Sequence, residues 1–243
     1  MLRTKDVAVG FGKRVLVRDA CLSLAPGQIK GLIAPNGTGK TTLMRYVAGN
    51  KRLGTGRVEV DGTDLWALPG KDRPLLYVAG DGSGLYGHLN AVDHLHMVKD
   101  LWHRDLDVRQ VVEKCGLAGF ARRPVRKLSQ GMRQTVSLCL GYAAGARYLL
   151  LDEPMNASDP TNIAFHSRTM RALAGNGVGI LYSSHLLENV SEICDSVFVL
   201  REGRLQEFEN SHRPGCAQAL YRGCFMRDSQ GREEPREQHA GIG

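Results

Sequence analysis

Gly31-Leu32-Ile33-Ala34-Pro35-Asn36-Gly37-Thr38-Gly39-Lys40-Thr41-Thr42 is the stretch that decides the fold. The apolar run from Ile29 to Ile33 reads as a buried strand, and a helix is expected to open near Lys40. A glycine-rich turn between the two aims backbone N–H groups, and the positive end of a helix dipole, into one small concavity. Gly37 and Gly39 let the backbone approach a phosphate without side-chain interference. Lys40 reaches β- and γ-phosphates, and the Thr41 hydroxyl is placed to ligate Mg²⁺. This is a phosphate-binding loop; the plain alternative is a strand–helix connector that binds nothing. One position departs from the strict pattern G-x-x-x-x-G-K-[ST]: Ala34 stands where glycine is expected. Alanine strains the turn if that position needs a positive φ and is harmless otherwise.

The chain has 243 residues, of which 42 % are apolar and 23 % charged, as in an ordinary globular protein. No apolar run approaches the roughly 18 to 20 residues that span a bilayer. The first six residues lack the apolar stretch of a signal peptide, so a cytosolic location is expected. Six cysteines are scattered without a C-x-x-C pair, which favours buried thiols over disulfides or a zinc site. The net charge of +7 invites anionic partners, a nucleic acid or a membrane face. Its densest run, Arg122-Arg123-Pro124-Val125-Arg126-Lys127, has no interleaved aromatic residues to stack bases, and a solvated basic face explains it equally.

Residues 2 to 30 alternate in polarity and read as short strands ahead of the Pro26-Gly27 turn. With Arg57-Val58-Glu59-Val60 they predict a small antiparallel layer beside the loop. Phe11 in that layer either stacks on an adenine ring or fills the core. Leu75 to Val78 reads as a buried strand followed by a flexible loop, Gly80 to Gly84. Residues 88 to 128 then show helical spacing of Val92, Leu95, Val98 and Leu101, and of Val111, Val112 and Leu117. In that insertion His96, Asp100 and His103 would share one helix face, either as metal ligands or as an ordinary polar face. Ser129 is a natural N-cap for an apolar helix, and its hydroxyl with the Gly131 amide forms either a second anion site or simply a capped helix. Tyr148 to Asp152 reads as a buried parallel strand that delivers Asp152 and Glu153 to the carboxyl edge of the sheet, where such sheets bind ligands. Asp152 suits Mg²⁺ and Glu153 suits polarising an attacking water. The strand from Gly179 brings His185 to the same edge, for a γ-phosphate or for a structural hydrogen bond. Val197 to Leu205 reads as a terminal hairpin, and the charged residues after Arg227 as a disordered tail.

In this order the segments resemble the nucleotide-binding subunit of an ATP-binding cassette (ABC) transporter, over about residues 2 to 210. Phe11 matches the adenine-stacking aromatic. Ala34 to Thr42 matches the Walker A loop, which brings Asn36, Thr38 and Thr42 into the phosphate cradle beside Gly37, Gly39, Lys40 and Thr41. Leu128 to Met132, with Ser129, Gln130 and Gly131, matches the signature motif. Leu149 to Glu153 matches the Walker B strand with its glutamate base, Asn156 to Asp159 the D-loop, and His185 the switch histidine. The resemblance implies an α/β fold: a P-loop NTPase (RecA-like) parallel-sheet core, an antiparallel β subdomain and a helical insertion subdomain. It implies one nucleotide-binding domain over residues 1–226 with the insertion at about 88–128, and the tail at 227–243. It further implies Mg²⁺-dependent ATP hydrolysis in a head-to-tail dimer, homomeric or heteromeric. Ser129, Gln130, Gly131 and Asp159 of one subunit would there face the nucleotide held by the other. The cassette would sit on the inner face of the cell membrane and drive separate permease subunits.

Two departures from the family bear on activity besides Ala34. The usual Q-loop glutamine is missing, and depending on the match Asp81 or Gly80 takes its place; Asp81 is preferred because a carboxylate still reaches Mg²⁺. The signature reads Leu-Ser-Gln-Gly-Met, and Ser158 replaces the usual D-loop leucine. The Gly-Met-Arg-Gln ending and the Glu-Pro-Met-Asn segment are similar to cassettes of bacterial exporters for drugs and antimicrobial peptides. Two other readings compete: a nucleotide-sensing cassette with lost hydrolysis, and a soluble cassette ATPase acting on nucleic acid or an assembly scaffold. Nucleic acid is not an expected partner.

Overall fold

The computed structural model describes residues 1–226 except 13, 52–54, 70–72, 74 and 157, and it leaves out the side chains of Phe11, Leu75 and Ala79. The expected tail at 227–243 lies outside the described residues.

Strand β3 (Ile29–Ile33) is buried along its whole length and lies centrally in a six-stranded sheet. It pairs in parallel with β8 (Gly179–Ser183) and with β9 (Ser196–Arg201). On the far side of β8 lie β7 (Tyr148–Asp152) and then β6 (Leu75–Ala79), both parallel. β10 (Arg204–Glu209) returns antiparallel on β9 through the Glu202-Gly203 turn and forms the opposite edge. Strands buried on both faces need apolar residues at nearly every position, which is why β3, β7 and β8 read as short apolar runs. β6 is an edge strand, so Leu76 and Tyr77 are only half buried.

The period of two sorts these strands into two cores. Leu32, Tyr148, Leu150, Leu181, Phe198 and Leu200 face one cluster. Ile33, Leu149, Leu151, Ile180, Tyr182 and Val199 face the other. The first is closed by helix α1 (Lys40–Val47) and by a second sheet of β1 (Leu2–Phe11), β2 (Arg14–Leu24), β4 (Thr55–Val60) and β5 (Thr63–Asp64), in the order β2-β1-β4-β5. The residues read as short strands are thus two long antiparallel ones whose register shifts at several points. Lys30 faces this core too; its charge is paired with Glu207 at 2.5 Å and lies 5.3 Å from the centre of the Phe198 ring. The second core is closed by α4 (Gln130–Ala144), α5 (Pro160–Gly175), α6 (Leu187–Ile193) and α7 (Cys216–Phe225). Gly31 is needed there: a Cβ on it would lie 3.0 Å from Val190 and 3.1 Å from Cys194 on the α6 side.

Between β6 and α4 run α2 (Ala91–Leu101), α3 (Val108–Lys114) and a single 3-10 turn, Val125–Lys127. Asn90 and Asp93 make a reciprocal capping box at the start of α2. Ala91, Leu117, Val125 and Leu128 pack with Val136 and Cys139 of α4 as a third cluster. Two expectations fail here. Leu101, counted in the apolar spacing, is 72 % exposed at the end of α2. His103 lies beyond that helix with φ 48, so it cannot continue a face with His96 and Asp100. Among the described residues no group of three or more such side chains could hold a metal ion. All six cysteines are free thiols; Cys139 and Cys194 are buried, whereas Cys21 is exposed. No helix among the described residues is long and apolar enough to cross a membrane.

Candidate functional site

The carboxyl ends of β3, β7 and β8 converge with the start of α1 on a cavity of about 360 Å³. Asn36, Gly37, Gly39, Lys40, Thr41 and Thr42 line it from the loop; Glu153, Asn156 and His185 line it from the sheet edge. Gly37 and Gly39 have φ 78 and 110, and a Cβ on Gly37 would meet nothing within 4 Å. Ala34 is absent from the positive-φ residues and is buried in the first core, so the departure from the glycine pattern carries no backbone strain. Thr38 turns its hydroxyl back to the Pro35 carbonyl at 2.8 Å.

Lys40 is 6 % exposed and donates to the carbonyls of Ala34 at 2.7 Å and Pro35 at 3.3 Å. Burial lowers its pKa, and Glu153 and Asp152 work against that. Glu153 follows β7 with φ 50, a left-handed conformation uncommon for a residue with a Cβ. Three bonds hold that backbone: its N–H donates to Ser183 Oγ at 2.9 Å, and its carbonyl accepts from Gln134 Nε2 at 3.2 Å and Asn156 N at 3.3 Å. The strained turn throws the carboxylate into the cavity. Its Oε1 lies 2.9 Å from His185 Nε2 and 3.8 Å from Lys40 Nζ, while Oε2 is buried with no hydrogen-bond partner. Burial pushes the Glu153 pKa up, opposed by His185 and Lys40.

A second cavity of about 270 Å³ shares Thr41, Glu153 and Asn156 with the first and adds Asp81, Gln130 and Asp152. A Cβ on Gly80 would lie 2.2 Å from the Glu153 carbonyl oxygen and 2.3 Å from that of Asp152. Of Gly80 and Asp81, Asp81 is the one that carries a side chain, and its carboxylate accepts from the Ser83 amide at 2.9 Å. That bond keeps the Asp81 pKa below the usual carboxylate range.

Ser129 caps α4 by accepting from Met132 N at 3.3 Å, with Gly131 in the first turn. Asp159 caps α5 by accepting from Asn162 N at 2.9 Å, ahead of Pro160. Ser129, Gly131 and Asp159 line neither cavity. The Phe11 side chain lies outside the described residues. Four contributors escaped the sequence reading: Leu16 in the loop cavity, and Arg45, Tyr77 and Ser183 around Asp152. None belongs to a short motif; each reaches the site from a neighbouring element.

A P-loop between a central strand and α1, acids at the end of an adjacent strand and a separately capped helix over an inserted subdomain together define a nucleoside-triphosphatase cassette. The chain belongs to the ABC transporter family, whose profile matches residues 17–156, and is its ATP-binding subunit, an ATPase. It is similar to the lantibiotic transport ATP-binding protein SrtF of Streptococcus pyogenes, at 27 % identity over 87 % of this chain and 93 % of that one. It is 32 % identical to the putative ABC transporter ATP-binding protein AlbC of Bacillus subtilis, over 85 % of this chain and 90 % of that one. The lipopolysaccharide export system ATP-binding protein LptB of Acidithiobacillus ferridurans is 27 % identical over 84 % of this chain and 88 % of that one. Among solved structures, the fold matches an ATP-binding subunit of an ABC transporter with a TM-score of 0.78 at 24 % identity, covering 86 % of this chain and 90 % of that one. It also matches a dimeric post-hydrolysis cassette bound to ADP and phosphate, with a TM-score of 0.76 at 19 % identity, covering 86 % and 98 %.

Proposed function

We propose that this cassette couples Mg²⁺-dependent ATP hydrolysis to export of a drug, peptide or other amphipathic compound through separate permease subunits on the cytoplasmic face of a membrane. Relatives named for lantibiotic transport and lipopolysaccharide export support the direction. The observation that carries the hydrolytic part is the Glu153 carboxylate, with one oxygen facing His185 and Lys40 and the other buried without a partner. A buried carboxylate oxygen with no hydrogen bond suits a site completed by a water on the γ-phosphate.

In this reading Asn36 to Thr42 cradle the phosphates, and Lys40 neutralises the β- and γ-oxygens. Thr41, Asp152 and Asp81 offer the all-oxygen set that Mg²⁺ takes, and the cation would offset charge on the phosphates. Glu153 orients and deprotonates the attacking water, and His185 holds Glu153 and the γ-phosphate in line. Phosphoryl transfer needs mainly such positioning and charge stabilisation. Phe11 stacks on the adenine. Ser129, Gln130, Gly131 and Asp159 serve the nucleotide of the opposing subunit in a head-to-tail dimer, with the helical insertion at 88–128 carrying the signature helix. The capped N-terminus of α4, with Ser129 exposed, supports that assignment. The test is Mg²⁺-dependent ATP turnover of the purified chain beside Glu153→Gln, with dimerisation followed by light scattering. Loss of a general base costs about 10²- to 10⁴-fold, so the variant should bind ATP, dimerise and stop turning over. Equal turnover in both proteins removes Glu153 from the mechanism.

A further inference from the structure

Asp152 is held on both oxygens. Ser183 Oγ donates to Oδ1 at 2.7 Å, and the Tyr77 hydroxyl donates to Oδ2 at 2.9 Å. The strand register explains the second contact. Ala79 of β6 lies opposite Asp152, and Tyr77 sits two residues earlier on the same face. Two residues of strand span about 7 Å, which is the reach of a phenol along its strand. Arg45 completes the chain from the other side. It leaves the last turn of α1, donates Nε to the Tyr77 hydroxyl at 3.3 Å, and places its guanidinium 5.5 Å from the centre of the ring. Arg45, Tyr77 and Asp152 line the same cavity as Thr41 and Asp81. The helix that begins with Lys40 and Thr41 is therefore tied at its far end to the carboxylate at the end of β7.

We propose that Tyr77, oriented by Arg45, is a positioning residue that fixes the Asp152 carboxylate for the divalent cation; this rests on Asp152 being a cation ligand. With a hydroxyl donor on each oxygen the carboxylate has one rotational setting, and its remaining lone pairs are committed to the cavity. Removing the phenol oxygen leaves Ser183 alone to hold the torsion, so the ligand is less ordered before the cation arrives. Outer hydrogen-bond partners of metal ligands typically alter metal affinity or activity by 10- to 100-fold. The ring itself packs beside the first core, so Tyr77→Phe keeps the packing and deletes one oxygen atom.

The experiment compares full-length wild type, Tyr77→Phe, Arg45→Met and Asp152→Asn. Calorimetry gives the affinity for a non-hydrolysable ATP analogue with and without Mg²⁺, and the ratio reports the contribution of the cation without turnover. Tyr77→Phe should lower that ratio about tenfold while leaving the metal-free affinity within about twofold of wild type. Turnover of the variant should recover at high Mg²⁺. Arg45→Met should lower the ratio less and add little in the Tyr77→Phe background, because both act through one hydroxyl. A wild-type ratio in Tyr77→Phe, with a reduced one in Asp152→Asn, overturns the proposal alone. A wild-type ratio in Asp152→Asn overturns the cation assignment and the proposal with it.

Discussion

Replacing Tyr142 and His166 together by phenylalanine should make the protein more tolerant of mild acid. His166 on α5 is fully buried, with Nδ1 3.2 Å from the Tyr142 hydroxyl and Nε2 lacking any partner. Its ring lies between Tyr142 at 5.9 Å and Phe165 at 5.2 Å, and burial alone depresses its pKa to about 4 from the usual 6.5. A folded-state pKa below the unfolded one means that the unfolded chain takes the proton first. The stability from the neutral ring is thus complete above pH 6.5 and is lost as the pH falls from there toward 4. The gap between 6.5 and about 4, at about 1.4 kcal/mol per pH unit, amounts to roughly 3 kcal/mol, of which about 2 kcal/mol is gone at pH 5. Changing both partners avoids orphaning the Tyr142 hydroxyl, so the double variant should stay near wild-type stability at pH 7.5. Urea unfolding at pH 7.5, 6 and 5 measures the difference, in which carboxylates common to both proteins cancel. The variant should gain about 2 kcal/mol on wild type between pH 7.5 and pH 5. Parallel stability profiles across that range would refute the assignment.

Two further substitutions probe the loops around the site. Ala34→Gly restores the usual loop pattern but removes a buried methyl where no positive φ exists, so it should cost about 1 kcal/mol in unfolding free energy without raising ATP turnover. Gly80→Ala would set a Cβ 2.2 Å from the Glu153 carbonyl oxygen, forcing the end of β7 to move; a loss of about 1–3 kcal/mol and at least tenfold slower turnover should follow, read by thermal unfolding and phosphate release.

The P-loop, the strands on either side of it and the acid pair were legible because each is a local pattern with one cheap structural solution. A buried five-residue strand, two glycines and Gly-Lys-Thr leave little choice for the backbone between β3 and α1. The antiparallel layer was legible as a layer, although the bulged register of β1 on β2 was not, since bulges leave no signature in alternation. Helices α5 and α6 were not legible in the sequence. Their buried stripes include His166, Ser167, Asn189 and Ser191, whose polarity hides the apolar period until hydrogen bonds such as Asn189 to Ser167 at 2.7 Å satisfy it. The one-residue offset between Gly80 and Asp81 leaves no mark in the sequence, and in the fold both line the cavity beside Asp152, with Gly80 crowded against the end of β7. Tyr77 and Arg45 look like ordinary members of their elements in the sequence, because their meeting depends on strand register and on the side chain at the end of α1.

The left-handed backbone at Glu153 sets robustness against the proposed turnover role at a single residue. Glycine enters that region freely and asparagine more readily than most, so either would relax a conformation that costs glutamate of order 1 kcal/mol. With Glu153 in the role proposed above, a library sorted for thermal tolerance alone would drift toward those replacements and accumulate well-folded proteins without turnover. Directed evolution of a hardier transporter must therefore score turnover in every round.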